Sequence, residues 1–210
     1  MMNQSKGNLV VVSGFSGAGK GTVIRDLVDR YDYQLSVSAT TRKPRKGEED
    51  GVHYFFHTKE EFEKLIQEDG FIEYACYVDN YYGTPRHFVE EKLEDGKTVI
   101  LEIEVQGAMA VRDRYPEAIL IFITAPSAKE LMDRLSGRGT ESREEAEKRM
   151  HRAMEEAESM DAYDYIVCNE KGKVSECADT ISAIIRAENC RRERQQDFVR
   201  EMKDGFSKVL

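Results

Sequence analysis

The chain has 210 residues, of which 40% are hydrophobic, and its 40 acidic and 31 basic side chains give a formal net charge of −9. This length and hydrophobic content suit one α/β domain and argue against two independent cores. The negative charge argues against a nucleic-acid partner, whose phosphates the surface would repel, so an anionic substrate requires a local cluster of positive charge.

The sequence predicts a cytoplasmic protein with no membrane partner. It has no apolar stretch of about 18 residues or more, and Met1–Lys6 is polar and not a basic leader followed by an apolar run. The four cysteines lie far apart without metal-ligand spacing, which predicts buried or inert thiols. They are Cys76, Cys168, Cys177 and Cys190.

The elements of the core alternate between strands and helices. Leu9–Ser13 is a β-branched apolar run that predicts a buried parallel strand, and Lys20–Arg30 follows with helical periodicity. Further strands are predicted at Thr98–Ile103, Ala118–Thr124 and Tyr165–Cys168, with helical segments between them. This alternation implies a parallel sheet covered by helices on both faces.

Helix starts are marked by capping patterns. Thr58 with Glu61 and Ser127 with Glu130 fit the capping box, and Thr84-Pro85 predicts a cap followed by proline at the first helical position.

Two excursions interrupt the core pattern. The region before Thr98 is rich in Gly, Tyr and charge, and its short alternating pieces Tyr54–Phe56 and Phe71–Tyr77 predict a small inserted subdomain. A second excursion, from about Gly137 to His151, is dense in Arg and Glu. The segment from Lys173 onward reads as helix with a solvated, charged face.

A phosphate-binding loop stands between the first strand and the first helix. The motif G-x-x-x-x-G-K is matched by Gly14, Phe15, Ser16, Gly17, Ala18, Gly19 and Lys20, followed by Gly21 and Thr22. Glycines let successive N–H groups point at phosphate oxygens, the helix N-terminus adds its positive end, and Lys20 reaches the outer phosphates. The sequence therefore predicts that this loop binds a polyphosphate.

The loop departs from the strict motif at one position. Ser or Thr normally follows the lysine, but here Gly21 does, and the hydroxyl comes at Thr22. We therefore expect Mg²⁺ to be held mainly by nucleotide phosphates and water, with Thr22 and Glu102 as the candidate protein ligands.

A rigid basic element follows the first helix. Arg42 and Arg45 lie three residues apart around Pro44, which stiffens the backbone, and arginine forks match phosphate geometry. In an acidic chain this element predicts a second anion site, although a solvated loop would also account for it.

At this point the chain resembles the guanylate kinase family. The phosphate loop, the segment SVSATTRKPRKGE and three later motifs occur in the family's order between Leu9 and Glu188. Those motifs are Phe71-Ile72-Glu73-Tyr74, Asn80-Tyr81-Tyr82-Gly83-Thr84 and Leu101-Glu102-Ile103-Glu104-Val105-Gln106-Gly107. The resemblance implies an ATP:GMP phosphotransferase with a P-loop kinase core, in which helices flank a parallel sheet.

The resemblance also implies a division of the chain. The core would comprise about residues 7–35, 95–136 and 152–210, the inserted GMP-binding subdomain about residues 36–94, and a small helical lid about residues 137–151.

Carried over by position, two arginines and two tyrosines would hold the GMP phosphate, and three residues would contact guanine. The first set is Arg42, Arg45, Tyr54 and Tyr82; the second is Ser38, Glu73 and Thr84. A carboxylate at Glu73 suits guanine, because guanine presents two neighbouring donors, N1–H and the 2-amino group, and adenine does not. A surface glutamate on a strand is the alternative for Glu73.

The resemblance leaves two glutamates open. Glu102 and Glu104 stand where the family usually carries aspartates. Glu104 is assigned to GMP or Mg²⁺, and acids that merely end a strand are the alternative.

Four arginines fall on or near the lid, whose glycines suit a hinge. The resemblance assigns phosphate contacts to Arg138 and Arg149, while Arg134 would face adenine or phosphate and Arg143 would pair with glutamates. A solvated charged helix is the alternative for the group. Asn169 is an adenine-side candidate.

The acceptor oxygen of GMP is already ionised near neutral pH, so we expect no general base. Catalysis would come from in-line positioning and charge stabilisation by Lys20, Arg42, Arg45, Arg138 and Arg149 with Mg²⁺. Two alternatives stay open: a kinase for another nucleoside monophosphate, which should lack the Glu73 constellation, and a non-catalytic binding module of guanylate-kinase-like fold.

Overall fold

The computed structural model describes residues 7–77, 79–136 and 143–209. The strands are β1 (Leu9–Gly14), β2 (Tyr33–Leu35), β3 (Ala39–Thr40), β4 (Phe55–Phe56), β5 (Phe71–Tyr77), β6 (Asn80–Pro85), β7 (Thr98–Glu102), β8 (Ile119–Thr124) and β9 (Tyr165–Cys168). The α-helices are α1 (Lys20–Arg30), α2 (Lys59–Gln67), α3 (Arg86–Glu94), α4 (Val105–Arg114), α5 (Ala128–Ser136), α6 (Arg143–Ala157), α7 (Val174–Asn189) and α8 (Gln196–Val209).

Within these residues the larger sheet is parallel, with the strand order β2-β7-β1-β8-β9. β1 lies at its centre, and Val10, Val11 and Val12 are fully buried there. A strand covered on both faces needs such an unbroken apolar run, which is why the pattern predicted it. Helices flank the sheet, as expected for the α/β class, and α1 packs against α7.

A smaller sheet with the order β4-β3-β6-β5 stands beside the main one. It has its own apolar cluster, in which the Phe62 ring stacks on Phe71 at 4.3 Å and on Tyr81 at 5.2 Å between centroids. The composition argued against two independent cores, whereas the described residues form two apolar clusters. Stacked aromatic rings bury enough area to hold the outer part of a short sheet, while Ile72 of β5 belongs to the main core.

α4 joins the two sheets, because it packs against β5 of the smaller sheet and against β1 of the larger one. A residue on α4 can therefore contact side chains of both. The cleft described below opens beside the start of this helix.

The capping predictions have different outcomes. Thr58 and Glu61 form the predicted capping box at α2, and Ser127 accepts from the Glu130 N–H at 3.1 Å before α5. The prediction at Thr84-Pro85 was wrong, because α3 begins at Arg86 and Thr84 lies inside β6. Its hydroxyl donates to a carboxylate on the neighbouring strand, an interaction that local sequence does not reveal.

The four thiols differ in burial. Cys177 is buried, whereas Cys76, Cys168 and Cys190 are exposed. Burial raises the pKa of the Cys177 thiol to about 11, which keeps it protonated and unreactive near neutral pH. Among the helices of residues 7–77, 79–136 and 143–209, none has the length and apolar content to cross a membrane.

Candidate active site

A cleft with a volume of about 670 Å³ opens between the smaller sheet and the carboxyl end of β7. Lys20 and Glu102 line it on the side of the larger sheet, Tyr82 and Glu73 on the side of the smaller sheet, and Gly107 between them. In parallel α/β sheets, ligands bind outside the carboxyl ends of the strands, so the cleft lies where a nucleotide site is expected.

The phosphate loop has a backbone that only glycine adopts readily. Gly14, Gly17 and Gly19 have φ values of 149°, 86° and 90°. Lys20 begins α1, and its Nζ donates to the carbonyl oxygens of Gly14 at 2.6 Å and Phe15 at 3.2 Å. The ammonium group thus donates to carbonyl oxygens of its own loop, and it can exchange these partners for phosphate oxygens when a nucleotide binds.

Arg149 of α6 contacts the phosphate loop, from which it is separated by 133 positions in the sequence. Its Nε and Nη2 donate to Ser16 Oγ at 3.1 and 2.5 Å. The predicted lid arginine and the predicted phosphate loop therefore meet in space. Arg138 lies outside the described residues, and of Arg143 only the backbone, at the start of α6, is described.

Arg134 and Asn169 lie behind the loop. Arg134 Nη2 donates to the Asn169 carbonyl at 2.7 Å, and Asn169 Nδ2 donates to the Ala18 carbonyl at 2.8 Å. A Cβ atom at Gly19 would lie 2.6 Å from Asn169 Nδ2. These contacts support the loop from beneath. Asn169 Oδ1 is buried and has no hydrogen-bond partner within the described part of the chain.

On the other side of the cleft, Arg42 is paired with a carboxylate. Its Nη1 and Nη2 donate to the two oxygens of Glu48 at 3.0 and 2.9 Å, and its guanidinium lies 5.3 Å from the centroid of the Tyr54 ring. Arg42 lowers the pKa of Glu48 to about 2. The arginine thus already holds an anion of phosphate-like geometry. Arg45 is exposed, and its backbone N–H also donates to Glu48, at 2.7 Å.

Glu73 is a buried carboxylate at the edge of the cleft, with 8% of its surface exposed. The β5–β6 register shifts between Phe71 and Glu73, and such a bulge re-aims the side chain that follows it. Thr84 Oγ1 donates to Glu73 Oε1 at 2.7 Å. Burial raises the pKa of Glu73, and the hydrogen bonds from Thr84 only partly oppose that rise.

Glu102 and Glu104 face the cleft from the end of β7 and the start of α4. Burial raises the pKa of Glu102, Lys20 lowers it, and Glu104 raises it again. Glu104 accepts from Arg152 Nη2 at 3.3 Å, and Arg152 also donates to the largely buried Glu156 at 3.1 Å.

A divalent cation would find few protein ligands here. Across residues 7–77, 79–136 and 143–209, no group of three or more His, Cys, Asp or Glu side chains is placed to hold a metal. Glu102 lies over the start of α1, since a Cβ atom at Gly21 would be 3.7 Å from its Oε1, and Thr22 is exposed beside it. One carboxylate and one hydroxyl suit a Mg²⁺ ion that keeps most of its waters.

The structure thus brings the predicted residues together as two groups that face each other. Lys20, Ser16, Arg149 and Glu102 form the phosphate-loop side, and Ser38, Tyr54, Glu73, Tyr82 and Thr84 form the other side with Arg42.

The sequence reasoning missed Glu48 and Gly107 as parts of the site. An acidic residue six positions after Arg42, across the Pro44 turn, was the available signal for Glu48. A glycine in the first turn of a helix, where it weakens the helix, was the signal for Gly107.

Comparison with known proteins finds similarity to one family. The family model described as guanylate kinase matches residues 6–188. A guanylate kinase of Bacillus anthracis is 49% identical over 207 residues, which cover 98% of this chain and 100% of the relative. One of Halalkalibacterium halodurans is 53% identical over 195 residues, covering 92% and 94%. The crystal structure of guanylate kinase from Anaplasma phagocytophilum superposes with a TM-score of 0.74 at 33% identity, covering 94% of this chain and 95% of that one.

Proposed function

The chain belongs to the guanylate kinase family and is an ATP:GMP phosphotransferase, and we propose that GMP lies in the cleft with its guanine on Glu73 and its phosphate on Arg42. The observation that carries this proposal is the geometry of Glu73. Its carboxylate is buried, held at one oxygen by Thr84 and open to the cleft, with no cation bonded to it within the described residues.

Such a carboxylate needs a ligand that presents donors. Guanine offers N1–H and the 2-amino group side by side, and each carboxylate oxygen can accept more than one hydrogen bond, so Thr84 does not exclude the base. With adenine the carboxylate would stay desolvated and unpaired, at a cost of about 1–3 kcal/mol or more because the group is charged. Guanine preference follows from that penalty. Ser38 and Glu104 line the same cleft and are the further candidates for base contact.

We expect Glu73→Gln to raise the KM for GMP. The amide keeps the shape but directs a donor at a donor of the base, and loss of a charged hydrogen bond costs about 1.5–3 kcal/mol, or roughly 10- to 150-fold. Steady-state ADP formation with varied GMP measures the change, and Glu91→Gln on the exposed face of α3 is the matched control. An unchanged KM in Glu73→Gln would rule out the proposed base contact.

The same variant should make the free protein more stable. Burial raises the pKa of Glu73 in the folded state. Ionisation of Glu73 therefore lowers the free energy of unfolding at pH values above that raised pKa, and this loss disappears as the pH falls. A neutral glutamine removes this cost near neutral pH, and its Oε1 can still accept from Thr84. A higher Tm and weaker GMP binding in Glu73→Gln than in the parent protein would show that Glu73 serves GMP binding at a cost in stability.

The GMP phosphate would take the place of Glu48 on Arg42. Arg45, exposed beside it, and the hydroxyls of Tyr54 and Tyr82 would complete the phosphate site. Both the carboxylate of Glu48 and a phosphate present paired oxygens to the guanidinium fork. The phosphate carries more negative charge and so can displace the carboxylate.

Arg42→Met is expected to raise the KM for GMP by roughly 10- to 150-fold, since a charge-assisted hydrogen bond is worth about 1.5–3 kcal/mol. The KM for ATP should change little, because Arg42 lies on the acceptor side of the cleft. Initial rates with each nucleotide varied in turn separate the two constants, and Arg200→Met on α8 is the control. Equal losses for ATP and GMP would argue against the assignment.

The γ-phosphoryl of ATP would pass in line to a GMP phosphate oxygen. That oxygen is ionised, so no side chain has to remove a proton, and the chain's task is to hold the two anions close and to stabilise the spreading charge. Lys20 and Arg149 meet at the phosphate loop and are assigned this role, together with Arg138, Arg42 and Arg45. The loop from Gly14 to Thr22 would hold the ATP phosphates by its backbone N–H groups.

Glu102, through water, and Thr22 would hold Mg²⁺ beside the phosphate loop. When bound, the ion neutralises negative charge on the nucleotide phosphates. Arg134 and Asn169, which are bonded to each other behind the phosphate loop, are assigned to the adenine side. The division into core, GMP-binding subdomain and lid, use of dGMP and a cytoplasmic location stay predictions.

A further inference from the structure

Gly107 lies beside the Glu73 carboxylate, in the first turn of α4. A Cβ atom at position 107 would be 2.8 Å from Glu73 Oε2 and 3.2 Å from Glu73 Cδ. Separations under 3.0 Å are essentially never seen for real Cβ atoms, so a larger residue would force either the carboxylate or the helix to move.

The backbone gives no reason for a glycine at this position. Gly107 is helical and its φ is not positive, so any L-residue could adopt the same conformation. Glycine inside a helix is destabilising relative to alanine. The cost at Gly107 must therefore be offset by something outside the helix.

The two described side chains nearest to the missing Cβ differ in their freedom to move. Ile103 Cδ1, at 3.3 Å from the Cβ position, is the flexible end of an apolar side chain and can yield. Glu73 cannot yield without loss, because it follows the bulge in β5 and its Oε1 is bonded to Thr84. The carboxylate is therefore the group whose position depends on Gly107.

The place that the glycine leaves open is suited to an anion. The first turn of α4 carries backbone N–H groups with no intrahelical partner, and its positive dipole end favours an ionised carboxylate. Only ionised Glu73 can accept from both guanine donors at once, so the first turn of α4 would favour the charge state that the base requires, whereas burial of the carboxyl opposes it.

We propose that Gly107 is a specificity-determining residue of the acceptor site, because the absence of a side chain there lets Glu73 take the position that reads guanine. This inference rests on the proposed function of Glu73. It predicts that Gly107 acts on base recognition and not on phosphoryl transfer.

Gly107→Ala is expected to raise the KM for GMP roughly tenfold with little change in kcat, since a small displacement of a positioned group costs this much or more. The advantage of GMP over inosine monophosphate, which lacks the 2-amino group, should shrink. Gly205→Ala is the matched control, because Gly205 is also helical and no atom of the described residues lies within 4 Å of its missing Cβ. An unchanged KM and an unchanged base preference in Gly107→Ala would overturn the proposal.

A double-mutant cycle tests whether the effect passes through Glu73. In a Glu73→Asp background the shorter carboxylate withdraws from position 107, so adding Gly107→Ala should change the KM for GMP by less than about twofold. An equal effect of Gly107→Ala in both backgrounds would overturn the proposal. If Gly107→Ala alone fails to fold, recovery of folding in the double variant supports the contact, and failure of both contradicts it.

The two hypotheses fail separately. If Glu73→Gln leaves the KM for GMP unchanged, the proposed base contact fails and this inference falls with it. If Glu73→Gln raises that KM and Gly107→Ala does not, only the inference about Gly107 fails.

Discussion

Replacing Arg149 with methionine should lower kcat roughly 10³-fold, in the range known for arginines that stabilise a transferred phosphoryl group. The reason is geometric, because Arg149 is the described lid-side arginine whose guanidinium reaches the phosphate loop, at Ser16. Charge spreads over the phosphoryl oxygens in the transition state more than in bound ATP, so the loss should appear in kcat more than in the KM for ATP.

The matched control is Lys148→Met, which removes a positive charge from the exposed face of the same helix. It should leave kcat unchanged. A similar loss in both variants would show that the helix charge as a whole matters. Full activity in Arg149→Met, with the protein folded, would remove Arg149 from the catalytic set and leave Arg138 to carry the role.

Replacing Lys20 with methionine should lower kcat/KM for ATP by about 10²–10³-fold, as is found when one preorganised donor to a developing anion is removed. In the free protein its ammonium group donates to the carbonyls of Gly14 and Phe15, so it also shapes the loop. The variant can therefore lose loop order as well as a phosphate contact.

Lys20→Arg tests whether a positive charge alone is sufficient at this position. Arginine keeps the charge but is too long and planar to occupy the same place, so little recovery is expected if the lysine acts as a point charge on the phosphates. Lys208→Met, exposed on α8, is the neutral control. Wild-type kcat/KM for ATP in Lys20→Met would contradict the assignment of the loop as the ATP phosphate site.

Local sequence patterns were sufficient to predict those elements that depend on interactions between residues close together in the chain. β1 is a buried apolar run, α1 a periodic one, and the helix cap at Thr58 depends on residues three positions apart, so each was predictable to within a residue. The phosphate loop was predictable because its backbone requires glycines at fixed spacing. The family resemblance supplied the remaining site residues, whose separate motifs lie far apart in the chain.

Contacts between elements could not be read from the sequence. Thr84 looked like a helix cap because its real partner, Glu73, lies on the neighbouring strand. The pairing of Arg42 with Glu48 depends on how the turn around Pro44 folds. Gly107 has no local signature beyond its helix-weakening effect, since its significance comes from a side chain of the other sheet.

The most direct test of the account is a crystal structure of the protein with GMP bound. We predict that the Glu73 carboxylate lies within hydrogen-bond distance, about 2.7–3.2 Å, of both guanine N1 and the 2-amino nitrogen. The GMP phosphate should lie on Arg42 in place of Glu48. Guanine bound away from Glu73, or a phosphate that leaves the Arg42–Glu48 pair intact, would contradict the proposed acceptor site.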